Sequence, residues 1–359
     1  MPSRVLFVAS IGTTLRLFVA PLARSLRAAG IESIAAAGGL DDDLADFDRS
    51  YRLPPFRRGS AKAVVAAYRD LRAVVDREKP SLLHLHSPPA LILGRLMARS
   101  RRIPSIAVAH GSFLEPKGPR SLIYAAFESA LARLSAATVT ENEEDAEFYR
   151  RHCRAGTVSV APVGGIGIDL TRIEAARHAP KVVGPSPSIV VLGRLTPEKN
   201  LDVIVRAFAK LRTVHASAGL TFVGSALPGD RVWTVPSGPG VAHLKWLDDP
   251  YPIIAGADLM VLASRREGFS MSAAEALLLG VPVVAVTNRG VREIQRHDAK
   301  GLVVVSNSWE QLGQAMEACL NQTSTFEQDP QLAQRWSQTS AIAFHRDVVM
   351  RELACAADC

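Results

Sequence analysis

Short aliphatic runs bounded by polar residues alternate with amphipathic stretches along nearly all of this 359-residue chain, and that alternation constrains its fold more than any other feature. Arg4–Ser10, Ile103–Ala109, Ser188–Leu195 and Asp258–Ala263 are mostly apolar, as strands buried on both faces are, and Ser81–His86 reads as a further strand. Between them, Leu15–Ala29, Ala61–Lys79, Leu91–Arg102 and Leu201–Thr213 carry helical spacing. Strand and helix in regular succession demand a parallel sheet with crossover helices, so the fold class is α/β. The length suits about two such domains. Residues 1–165 and 188–337 are expected to form them, with 166–187, which hold Pro180, Pro185 and Pro187, as linker.

Composition narrows the function. Before residue 166 there are 23 Lys and Arg against 16 Asp and Glu, and after it 19 against 19, so all of the formal +7 lies in the first half. That half is expected to meet something anionic, but it lacks the interleaved aromatics and motifs of nucleic-acid readers. An anionic membrane surface or a phosphate-bearing acceptor fits equally well, with arginines 24 and 27 on one helix and 95, 99, 101 and 102 on another. Cys153, Cys319, Cys355 and Cys359 are widely spaced with no Cys-x-x-Cys pair, which argues against a zinc or disulfide framework and for a reducing compartment. No run of 18 apolar residues occurs, so a cytoplasmic protein is expected, with any membrane contact peripheral and at the inner face.

Strand ends are where open α/β sheets hold ligands. Gly12 follows the first strand, without the glycine triplet of a dehydrogenase, as either a turn glycine or a ligand-facing one. Asp41–Asp43 reads as a solvated loop. His84 and His86 alternate onto one strand face, with no acidic or cysteine partner nearby in sequence to make them a metal pair. His110 and Gly111 end a strand, where a histidine is either a ligand contact or a structural side chain. Gly164–Asp169 lacks the lysine and hydroxyl of a phosphate loop.

The densest constellation is Ala263–Val284. A strand, a charged loop and a helix follow one another; Ser272 and Glu275 are spaced as a capping box, and Gly280 and Pro282 stop the helix. A helix starting at the sheet's C-terminal edge offers N–H groups to an anion. A second loop at a strand end carries Arg194 and Lys199, which can both reach one diphosphate.

Glu267 and Glu275, set in Arg-Glu-Gly-Phe and Glu-Ala-Leu-Leu-Leu-Gly-Val-Pro, together with Gly193-Arg194-Leu195 and Glu198-Lys199-Asn200, resemble the signature of family 4 retaining glycosyltransferases of the bacterial cell-surface polysaccharide type. His110-Gly111, the His-x-His-Ser-Pro run from His84 and the Gly-x-Asp ending at Asp169 resemble that family too. The resemblance implies two Rossmann-like domains facing across a cleft, the GT-B architecture, with a C-terminal helix (338–359) returning to the first domain. It implies a hexosyl transfer from a nucleotide-diphosphate sugar to a saccharide or lipid-linked acceptor, without metal or cofactor and without nucleic acid. By it, Glu267, His110, Lys199 and Arg194 are catalytic, and Gly12, Arg194, Lys199, Gly268, Phe269, Ser270 and Glu275 bind the donor. A nucleotide-sugar binder without turnover, and an epimerase or hydrolase of the same architecture, remain as alternatives.

Overall fold

The computed structural model describes residues 3–39, 44–56, 60–111, 119–153, 156–180, 186–227, 229–322 and 326–357. Asp41–Asp43, Pro185 and Cys359 lie outside the described residues. The chain divides into two compact units, residues 1–167 with 339–359, and residues 168–338.

Unit 1 contains β1 (Arg4–Ala9), β2 (Glu32–Gly38), β3 (Arg49–Leu53), β4 (Leu82–His86), β5 (Ser105–Ala109), β6 (Ala137–Thr140) and β7 (Thr157–Val160). They form one parallel sheet in the order β3-β2-β1-β4-β5-β6-β7. Its helices are α1 (Gly12–Phe18), α2 (Ala20–Ala28), α3 (Ala61–Glu78), α4 (Pro88–Arg101), α5 (Pro119–Leu131) and α6 (Glu143–His152). Period-2 alternation sends Leu6 and Val8 to the face covered by Leu71 and Val75 of α3. Val5, Phe7 and Ala9 go to the face covered by Leu22 and Leu26 of α2.

Unit 2 contains β8 (Ser188–Leu192), β9 (Gly219–Val223), β10 (Val241–Leu244), β11 (Leu259–Leu262), β12 (Val283–Val286) and β13 (Leu302–Val305), parallel in the order β10-β9-β8-β11-β12-β13. Its helices are α7 (Leu170–His178), α8 (Leu201–Leu211), α9 (Tyr251–Ala255), α10 (Met271–Leu278), α11 (Arg289–Arg296), α12 (Trp309–Leu320) and α13 (Pro330–Trp336). The last helix, α14 (Gln338–Ala357), adds Val348 and Val349 to the Phe7 core of unit 1. Each sheet reverses its strand order once, between β1 and β4 in unit 1 and between β8 and β11 in unit 2. Loops part there and leave a crevice beyond the strand ends.

Three elements differ from the sequence reading. The helix expected over Leu15–Ala29 is two helices, because Pro21 cannot donate to the carbonyl of Leu17 and its ring crowds that turn. Strand β3 was not expected: Arg49-Ser-Tyr-Arg-Leu53 sits at the sheet edge with its arginines exposed, where the apolar signal of an interior strand is lacking. The span read as linker carries α7, capped by Asp169 accepting from the N–H groups of Thr171 and Arg172.

Candidate active site

In unit 2 the loops that follow β8 and β11 meet at the switch point. The Arg265 N–H donates to the Glu198 carbonyl at 2.9 Å, and the Arg265 guanidinium donates to Asn200 Oδ1 at 3.1 and 3.2 Å. Lys199 Nζ thereby reaches Glu267 Oε1 at 2.7 Å. Arg194 pairs at 3.0 Å with Asp230, whose side chain is buried and also accepts the Leu227 N–H. Both expected cations therefore already hold a carboxylate, a pairing that no spacing in the sequence announces.

The glutamate turn is braced from behind. Asn288 caps α11 by accepting the Val291 N–H, and its amide donates to the Ser264 carbonyl at 2.9 Å. Gly290 lies so close that a Cβ there would be 2.7 Å from Glu267 Cβ and 3.0 Å from both Phe269 Cα and the Ser270 nitrogen. Phe269 is buried against His297 and Trp336, and the Trp336 indole N–H donates to His297 Nδ1 at 2.9 Å.

The expected capping box does not form. Helix α10 starts at Met271 with Ser270 as its N-cap, so Glu275 lies in the second turn, too far along to reach back. Glu275 Oε1 instead accepts from the Tyr251 hydroxyl at 3.2 Å, beneath Arg172 stacked 5.0 Å over the Tyr251 ring. Burial pushes the Glu275 carboxyl up to about 7, opposed by the Tyr251 hydroxyl and the Arg172 charge. The Ser270 hydroxyl is buried without a hydrogen-bond partner at the head of α10. Gly268, Phe269 and Ser270 thus lead into a helix start whose first N–H groups lack intrahelical acceptors.

In unit 1, Ser87 Oγ accepts the Ser10 N–H at 3.0 Å and donates to Ser10 Oγ at 2.8 Å, which ties the ends of β1 and β4. Gly12 is buried in the first turn of α1. His84 and His86 do share one strand face, and they are joined: His84 Nδ1 lies 2.8 Å from His86 Nε2, and His86 Nδ1 lies 2.9 Å from His110 Nε2. His110 Nδ1 lies 2.7 Å from Glu141 Oε1, which also accepts the Gly165 N–H at 2.8 Å. Glu141 follows β6, and the strand-end rule that singled out His110 would have singled it out as well. The expected basic face is corrected by the structure: Arg95 is fully buried against Glu128 at 2.8 Å, because it points inward between α4 and α5. Arg24, Arg27 and Arg101 are paired with Asp46, Asp48 and Asp76.

Two family models adjoin on this chain. That for glycosyl transferases group 1 matches residues 173–341, and that for glycosyltransferase family 4 matches residues 17–172. The chain belongs to the family 4, group 1 glycosyltransferases. This glycosyltransferase is 28% identical to the glycosyltransferase EpsD of Bacillus subtilis over 85% of its own length and 84% of EpsD. It is 24% identical to the UDP-Gal:alpha-D-GlcNAc-diphosphoundecaprenol alpha-1,3-galactosyltransferase of Escherichia coli, over 76% of its own length and 74% of that enzyme. Among solved structures it shares its fold with Anabaena HepE in complex with UDP and glucose (TM-score 0.71, 17% identity, 96% and 99% of the two chains). It shares it also with the sucrose-phosphate synthase of Thermosynechococcus elongatus (TM-score 0.75, 16% identity, 99% and 100%). No helix among the described residues of this glycosyltransferase is long and apolar enough to cross a membrane.

Proposed function

We propose that this glycosyltransferase moves a hexosyl group from a nucleotide-diphosphate sugar to a lipid-linked saccharide with retention of anomeric configuration, in cell-surface polysaccharide assembly. The observation that carries the reading is the meeting of Lys199 and Glu267 at the unit 2 switch point, beside the head of α10 with its unpartnered Ser270 hydroxyl. A diphosphate would take the place of the carboxylates at Arg194 and Lys199 and receive N–H groups of α10. Glu275 would accept the ribose hydroxyls, and Glu267, released from Lys199 as the diphosphate takes its place, the hydroxyls of the sugar. His110, with Gly12 on the neighbouring loop of unit 1, would border the transferred sugar. Charge grows on the departing diphosphate in the transition state, so cations preorganised there accelerate transfer. In this reading they also take over the electrostatic role of a metal.

The E. coli relative's name supports the donor and acceptor classes, a nucleoside diphosphate sugar and a sugar on a lipid diphosphate. Helix α5 exposes Leu122, Ile123 and Phe127, and Arg99 of α4 and Arg102, which caps its C-terminus, are exposed. These would rest on an anionic membrane that carries the acceptor, from the cytoplasmic side. Turnover of a radiolabelled nucleotide sugar with and without such an acceptor tests the reading, with the product's anomeric configuration read by NMR. Inversion, activity dependent on added manganese, or hydrolysis unaffected by acceptor would overturn it.

A further inference from the structure

His84 and His86 lie on β4, and His110 and Glu141 directly follow the two strands beside it, with His86 opposite Val108 of β5 and Ala109 opposite Thr140 of β6. The four side chains run in line from the interior of the sheet to its C-terminal edge, joined by contacts of 2.8, 2.9 and 2.7 Å. His84 and His86 are buried, whereas the His110 side chain keeps 24% exposure beside the Phe18 ring.

Elementary hydrogen-bond inventory assigns every proton in this line. Glu141 Oε1 accepts the Gly165 N–H, so it is already acting as an acceptor; an ionised carboxylate accepts only, and His110 must then present Nδ1–H to it. A neutral imidazole has one N–H, which leaves His110 Nε2 as a lone pair and requires Nδ1–H from His86. By the same step His86 Nε2 is a lone pair and His84 donates from Nδ1. The line ends at His84 Nε2, which is buried with no hydrogen-bond partner. This assignment makes that atom a bare lone pair and not a stranded N–H.

Burial holds both inner rings neutral, pushing His84 and His86 well below the usual histidine range, with His345 and His110 acting in the same direction. His345 on α14 faces His84 at 6.4 Å between rings and is itself pushed down to about 4.

We propose that Glu141 and His86 are positioning residues that hold His110 as the neutral Nδ1–H tautomer in a fixed ring plane, with His84 fixing His86 in turn. The proposal rests on the reading of His110 as a group bordering the transferred sugar. In the free protein both ring nitrogens of His110 are engaged, so it offers the sugar a hydrogen bond only by exchanging His86 for it. The Nε2 lone pair is then the group on offer, and it accepts from a sugar hydroxyl.

Histidine-selective 15N NMR of the whole protein at pH 7, assigned through the single variants His84→Asn, His86→Asn and His110→Asn, reads the tautomers directly. Nδ1–H neutral signatures are expected at all three positions. An Nε2–H tautomer or an imidazolium at His110 overturns the proposal. Kinetics add a second readout, because Asn keeps an N–H near the place of histidine Nδ1 and Leu does not. His86→Leu is expected to lower kcat/KM by about tenfold to a hundredfold, because His86 sets the tautomer and ring plane of His110 before the sugar takes its place, and His86→Asn to recover most of it. Wild-type kcat/KM in His86→Leu overturns the positioning role. Normal turnover in His110→Ala would instead break the reading of His110, while the NMR assignment stands or falls by itself.

Discussion

Beyond the strand ends of unit 1 the switch point carries imidazoles and serines; beyond those of unit 2 it carries cations and carboxylates. Both sheets have the same strand order at that point, so the fold does not account for the difference. A row of neutral rings can be buried deeply because each N–H meets a lone pair, and it fixes a direction of donation without a net charge. An ion pair such as Lys199–Glu267 is costly to bury without its partner, yet it can exchange a carboxylate for a phosphate with no change in charge type. On the proposed function, unit 1 would define one hydrogen bond and unit 2 would exchange one anion for another.

The contrast predicts a division of labour among variants. Lys199→Ala should produce the largest loss, about 10²–10³-fold in turnover, on the scale of one preorganised donor of roughly 2–4 kcal/mol, with a weakened donor as well. His110→Asn should lower turnover and leave donor affinity close to normal. Steady-state kinetics beside donor calorimetry separate these, and equal losses of donor affinity in both variants would break the comparison. Lys199→Ala and Glu267→Gln should also couple, with a double-mutant interaction of about 0.5–3 kcal/mol. Additive losses would mean that the 2.7 Å contact plays no part in transfer.

Next in size is the brace behind the turn. A methyl at Gly290 meets backbone of residues 269 and 270, which cannot swing aside, so Gly290→Ala should cost roughly 1–3 kcal/mol and displace Glu267. The lowered melting temperature should come with a loss in kcat. A variant as stable and active as the parent would show that α11 yields freely.

Glu275 sharpens the comparison through pH. Its folded carboxyl near 7 lies above the ordinary glutamate value, so its contribution to stability is fully present below about pH 4.5 and is lost as pH rises through 7. Glu275→Gln should therefore gain in melting temperature relative to the parent between pH 5 and pH 8. Donor affinity should move the other way in the parent, rising through pH 7 as the ionised carboxylate becomes available to ribose hydroxyls, and Gln should flatten that rise. A flat parent profile would remove Glu275 from the donor site.

How much of this was legible in the sequence depends on the kind of interaction. Strands β1, β4, β5, β8 and β11 were legible because interior parallel strands are apolar on both faces, and the strand-end rule pointed to His110, Arg194 and Glu267. Edge strand β3 was not, since an exposed edge carries no such run. The capping-box spacing at Ser272 misled because the chain turns helical earlier, at Met271, and the cap passes to Ser270. Partners were the least legible. Asp230 lies 36 residues from Arg194, and Glu141 lies 31 from His110. Such pairs are chosen by the sheet order and not by local spacing. Arg95 shows the reverse error: a helix end dense in arginines reads as a solvated face, yet one of them is inside, paired with Glu128 from another helix.

That error sets the scale of the last and smallest effect. With Arg95 buried and Arg24, Arg27 and Arg101 each paired to an aspartate, the six arginines of the expected basic face leave Arg99 and Arg102 as the exposed ones outside those ion pairs. Near an anionic bilayer each such charge is worth about 1 kcal/mol and fades within a Debye length, so attachment should be weak, reversible and lost at high salt. In sedimentation with vesicles rich in anionic lipid, Arg99→Gln and Arg102→Gln should each weaken binding about fivefold, and Phe127→Ser by a similar factor through lost apolar contact. Arg24→Gln and Arg27→Gln should change it little, since their charges are already met by aspartates. If instead those two variants release the protein while Arg99→Gln does not, the surface lies on the α2 side and the exposed face of α5 has another role.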